Sequence, residues 1–242
     1  MATDRPVWAR PALVTAGGTI AAAATLAVIR LPVRDSAVWV ESLAVAASAI
    51  ALVATTWWLT GRAERRDQRV VLTWGLGSGL ALGGLWIAEI AFNNLTPHTV
   101  STAGTRGVLD NLTWAVVGMG TVVAAGGVAA RTRRWRSGLR AGVWSGVGSG
   151  LGAALGGALL LAFFRSFVED DPLMRSEWRL RDPGADLSLY VTRETMAGVG
   201  GHLWVLGVMQ GALLGLLASS VIIAVIRSRL VVRQPRPTHD GR

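Results

Sequence analysis

The strongest constraint on this chain is a set of six long apolar runs, none of which contains a lysine or arginine. They cover residues 11–29, 38–60, 70–92, 108–130, 141–164 and 203–226. About 20 apolar residues cross a hydrocarbon core roughly 30 Å thick, so each run is long enough to span a bilayer as a helix. Six helices apolar on every face could not all be buried inside a soluble fold of 242 residues. The expected fold is therefore an all-α, polytopic membrane bundle of six transmembrane helices, arranged as three helical hairpins. The first run is 19 residues long, beyond the roughly 7–15 of a signal-peptide core, and is expected to be retained as a span.

Composition then excludes several chemistries. All 24 basic residues are arginine, and the chain has no cysteine. Without cysteine there are no disulfides, thiolate metal sites, iron–sulfur clusters or thiol nucleophiles. Without lysine there is no Walker-type phosphate loop and no Schiff-base cofactor. The exclusive use of arginine points to a GC-rich bacterial genome, and hence to a bacterial cytoplasmic (inner) membrane. A net charge of +9 would suggest nucleic-acid binding in a soluble chain, but here the charge divides by loop. With the N-terminus inside, the inner segments hold 16 arginines and the outer ones 8, which by the positive-inside rule places both termini in the cytoplasm. No nucleic-acid partner is expected.

The resulting organisation is a cytoplasmic N-terminus (1–10), transmembrane helices 1–5 with short loops (11–164), an extracytoplasmic loop (165–202), helix 6 (203–226) and a disordered cytoplasmic tail (227–242). Short helices are expected in the loop at 172–180 and 186–196. Trp57, Trp58, Trp74 and Trp144 fall toward inner span ends, and Trp39, Trp86, Trp114 and Trp204 toward outer ones. Indole rings favour the headgroup level, so all eight read as interfacial anchors.

Spans 3 and 5 resemble each other. Gly77-Ser78-Gly79-Leu80 matches Gly148-Ser149-Gly150-Leu151, and Thr105, Trp114 and Met119 in the next span match Thr195, Trp204 and Met209. This pattern suggests a parallel internal repeat of spans 3–4 and 5–6. Glycines four residues apart form one helix face: Gly75, Gly79 and Gly83; Gly146 and Gly150; Gly207, Gly211 and Gly215. Such a glycine zipper lets helix backbones approach closely, within the chain or between copies of it.

Ionisable groups in a span are costly and prompt a functional hypothesis. Glu89 lies about 28 Å along the helix from Val70, near the outer face. Glu41, Asp110, Asn111, His98 and His202 fall at the same face, giving a candidate outer polar collar suited to a cation, protons or a vestibule. Gln210 lies about 10 Å inside span 6 and needs a partner there. No catalytic constellation, metal site or cofactor is expected. The chain has only three histidines, no His-Glu-x-x-His and no Gly-x-Ser-x-Gly, and Ser78 and Ser149 read as small packing residues.

The expected partners are the lipid bilayer, anionic headgroups at the inner arginine clusters, and a protein partner or second copy. Two functions stay open at this stage: small-solute or ion transport, or a non-catalytic accessory subunit docking through 165–201. An intramembrane enzyme ranks third.

Overall fold

The computed structural model describes residues 36–62 and 64–232, all helix and connecting turns. The order is α1 (Ser36–Gly61), α2 (Arg65–Val71), a π segment (Leu72–Leu76), α3 (Gly77–Leu95), α4 (Ala103–Thr132), α5 (Trp135–Glu169), α6 (Pro172–Arg181), α7 (Leu187–Trp204), a second π segment (Val205–Gln210) and α8 (Gly211–Val232). Among the described residues, five helices are long and apolar enough to cross a membrane: Val38–Gly61, Arg66–Leu95, Ala103–Thr132, Trp135–Glu169 and Gly211–Arg229. They correspond to expected spans 2–6. The first expected span, 11–29, and residues 233–242 of the expected tail lie outside the described residues.

The centre of the bundle is α5. Its sequence from Ala141 to Ala162 is largely glycine, alanine and serine, and most of it is buried. Lipid gives helices no hydrophobic reason to associate, so their attraction rests on van der Waals contact between closely approaching backbones. The first π segment and α3 run parallel to α5, with Gly75 against Ala141, Gly79 against Ser145, and Gly83 against Gly148 and Gly152. Helix α4 packs antiparallel to it through Ala125 and Ala129 against Gly138. The α7–α8 helix also runs antiparallel, with Leu203 against Gly150, Leu206 against Gly146, Gly211 and Gly215 against Gly142, and Ser219 against Gly138. A methyl group at Gly142 would come within 2.5 Å of the Gly215 Cα, so only glycine fits this crossing.

Polar side-chain contacts inside the bundle tie helices to one another. Ser78 Oγ lies 3.4 Å from Ser145 Oγ, which lies 3.2 Å from Thr121 Oγ1, so three hydroxyls join α3, α5 and α4. Trp144 Nε1 donates to Thr60 Oγ1 at 2.7 Å, tying α5 to α1. Trp86 and Trp144 are fully buried and so are not interfacial anchors, because the glycine-lined helices leave indole-sized gaps that these two rings fill. Trp39, Trp58, Trp74 and Trp204 are exposed, as rings at the headgroup level would be.

The expected extracytoplasmic loop is more structured than a solvated loop. Asp171 caps α6 by accepting from Leu173 N at 3.0 Å, with Pro172 next in the chain. Asp186 caps α7 by accepting from Leu189 N at 3.1 Å. The expected helix at 186–196 does not stop there: α7 continues through the second π segment into α8 as one helical rod. Val191 and Met196 are buried against Ala158, Leu161 and Ala162 of α5, and this apolar contact extends the helix toward its N-terminal end. At the other end the helix runs on past 226 to Val232.

Candidate functional site

Glu89 lies on α3, two turns before its C-terminal end, and is only 7% exposed. Asn93, one turn later on the same face, donates its Nδ2 to Glu89 Oε1. Antiparallel packing of α3 on α4 brings Asp110 near enough for its charge to act on Glu89. An open groove of about 540 Å³ runs between the two helices beside this carboxyl. Leu85, Ala88 and Phe92 of α3 and Val108, Leu109 and Leu112 of α4 form its walls together with Gly104 and Thr105, so Glu89 is the ionisable group on a largely apolar surface. Val108 and Leu112 are exposed, so among the described residues the groove is open on the outside of the bundle.

Trp86, one turn before Glu89, sits in a cluster of three rings. It meets Trp114 edge-on at 5.2 Å and His202 edge-on at 4.9 Å, while His202 stacks on Trp114 at 5.6 Å. His202 Nδ1 lies 2.8 Å from the Gly198 carbonyl. A carbonyl only accepts, so Nδ1 is the donor in this contact.

The expected collar therefore separates into parts. Glu89, Asp110 and His202 belong to the α3–α4–α7 corner. His98 does not join them: its Nδ1 is 3.3 Å from Arg106 and 3.9 Å from Asp171. Arg106 also pairs with Asp171, and its Nε donates to Ser101 Oγ at 2.7 Å, so these residues clasp the α3–α4 turn to the start of α6. Glu41 is exposed near the start of α1. Asn111 is exposed and donates to the Gly107 carbonyl of its own helix at 2.8 Å. Gln210 ends the second π segment with its amide against Gly118, and its Oε1 is buried without a hydrogen-bond partner, as is Trp86 Nε1.

Of the eight expected packing glycines, Gly75 faces α5 from the first π segment, Gly79 and Gly83 face it from α3, Gly146 and Gly150 lie on α5, and Gly211 and Gly215 face α5 from α8. Gly207 falls within the second π segment. The Arg106–Asp171–His98 clasp was missed by sequence reasoning because Asp171 lies 65 residues after Arg106. Asn93 did carry a signal, the i, i+4 spacing from Glu89 that puts both on one face. Among the described residues, no three His, Asp or Glu side chains converge as a metal site. No family model, curated protein or solved structure matches the chain.

Proposed function

We propose that this multi-pass membrane protein transports a small cationic solute, or protons, through an outer-half site centred on Glu89. One contrast carries this reading. Three carboxylates are buried among the described residues: Asp67, Glu89 and Asp171. Asp67 and Asp171 each face an arginine, Arg134 and Arg106. Glu89 faces none; its neighbours are a neutral amide and a second carboxylate. A carboxylate kept in hydrocarbon without a structural counter-ion needs a mobile one, a proton or a cation.

In this scheme Glu89 takes the proton or cation, Asp110 adds negative charge, and Asn93 fixes the orientation of the carboxyl. The arginine bias supports a bacterial inner-membrane location with both termini cytoplasmic, which makes the Glu89 end the outer one. The matching Gly-Ser-Gly segments on the parallel helices α3 and α5 support a duplicated hairpin as the origin of the bundle.

The test is flux in proteoliposomes. The purified chain should accelerate proton or small organic-cation movement over empty vesicles, and Glu89→Gln should abolish it while elution and helicity stay unchanged. Wild-type flux equal to that of empty vesicles would refute transport.

A second reading, an accessory subunit docking through 165–201, is supported by the backbone-to-backbone packing around α5, which suits a rigid support more than a moving carrier. It predicts a partner that co-purifies with the full chain and is lost when exposed outer residues such as Leu180 are replaced by Asp.

A further inference from the structure

The arginine-rich end of the bundle holds a second site. There the end of α1, the start of α2, the α4–α5 turn and the last turns of α8 surround a cavity of about 390 Å³. Six arginines line it, Arg62, Arg133, Arg134, Arg136, Arg140 and Arg227, against two carboxylates, Glu64 and Asp67. Both carboxylates are engaged by Arg134, at 2.5 and 3.4 Å, and Asp67 also accepts from Ser137 Oγ at 2.8 Å. Among the described residues, no carboxylate lies within ion-pair distance of the other five arginines. Arg62 and Arg136 instead lie over the Trp58 and Trp135 rings.

The cavity continues into a groove. Trp135, Ile223 and Arg227 line both, and from there a groove of about 330 Å³ runs along α8 past Ala224 and Ser220 to Leu216. Leu216 lies well inside the span Gly211–Arg229, so the groove leads from the charged rim into the hydrocarbon. Excess positive charge at one end and an apolar channel at the other match an amphiphile with an anionic head and an acyl tail. A soluble phosphate would leave the channel unused, and a nucleic acid could not follow it into the bilayer.

We propose that this cavity and groove hold one anionic phospholipid of the adjacent leaflet, its phosphate among Arg133, Arg136, Arg140 and Arg227 and one acyl chain along α8. The lipid would bridge the α4–α5 turn and α8. The site is independent of Glu89.

The experiment uses the full chain in detergent, with native mass spectrometry reading phosphatidylglycerol, phosphatidylcholine and, as the headgroup alone, glycerol 3-phosphate. Phosphatidylglycerol should bind at least tenfold more tightly than phosphatidylcholine. Arg136→Gln with Arg227→Gln, both at exposed positions, should weaken it about 30-fold, from roughly 1 kcal/mol per arginine. Ala224→Phe, which fills the groove but leaves the arginines, should weaken lipid binding at unchanged charge. Equal binding of the two lipids, or an unaffected double variant of native helicity, would overturn the proposal. So would glycerol 3-phosphate binding as tightly as the lipid, which would assign the cavity to a soluble phosphate.

Discussion

The glycine contacts around α5 make a sharp prediction, because the same substitution should have opposite effects five residues apart. A methyl group added at Gly79 would sit 2.5 Å from the Ser145 carbonyl oxygen, 2.8 Å from that of Trp144 and 2.9 Å from the Ser145 Cα. All three are backbone atoms and cannot swing aside, so α3 and α5 must part by about 1 Å to restore ordinary contact near 3.5 Å. A gap of that size forfeits roughly a quarter to a half of the dispersion energy at each neighbouring contact. Those contacts include Gly75 with Ala141 and Gly83 with Gly152. At Gly84 the same methyl meets nothing within 4 Å. Both substitutions gain the same helix propensity of about 0.8–1.0 kcal/mol, so their difference isolates the packing penalty, about 1–3 kcal/mol for overpacking. Gly84→Ala should therefore be neutral or stabilising, and Gly79→Ala should be 5-fold to roughly 150-fold less favourable in its unfolding equilibrium than Gly84→Ala. The assay is SDS-driven unfolding in mixed micelles, followed by the fluorescence of the 11 tryptophans. Coincident transitions for the two variants would refute backbone contact between α3 and α5 at this position.

Three further outcomes can be checked. Thr60→Val leaves the buried Trp144 indole N–H without its acceptor and should destabilise the bundle by about 1–3 kcal/mol in the same unfolding assay. Asp171→Asn weakens the pair with Arg106 and should cost about 3–5 kcal/mol locally, read as faster proteolysis around 182–186. The natural absence of cysteine permits single-site labelling: Gly184→Cys should react with a membrane-impermeant maleimide added to intact cells, and Ser228→Cys only after the membrane is opened.

The spans were legible because a helix in lipid must be apolar on all sides, and that demand is written directly in runs such as 38–60 and 141–164. The glycine faces were legible for a related reason: spacing by four maps onto one side of a helix whatever its neighbour. The partner of each face was not legible. Nothing local in Gly79 says that it meets Ser145, since that choice depends on how four helices share the surface of α5. Glu89 stood out because a charge is rare in such a run, but its lack of an arginine could be seen only once Arg106 and Arg134 were found facing other carboxylates. Trp86 and Trp144 misled because an indole at a span end suits either a headgroup or a gap between glycine-rich helices, and only the packing decides. His98 and His202 share a membrane face by topology, yet the α3–α4 turn carries one to Asp171 while α7 brings the other to Trp114.

The second π segment bears on how this helix tolerates change in length. Leu203 precedes it, Leu206 lies within it, Gly211 and Gly215 follow it, and all four meet α5. An unbroken α-helix turns about 100° per residue, so the step of five from Leu206 to Gly211 contains one residue more than α geometry would place there. That surplus is absorbed by the wide turn. A copy of the chain lacking one residue between Val205 and Gln210 could close into plain α-helix and still present Gly211 and Gly215 to Gly142. The same loss between Gly211 and Gly215 would break the glycine register against α5. The rod thus has one place where its length is negotiable, and that place ends at Gln210.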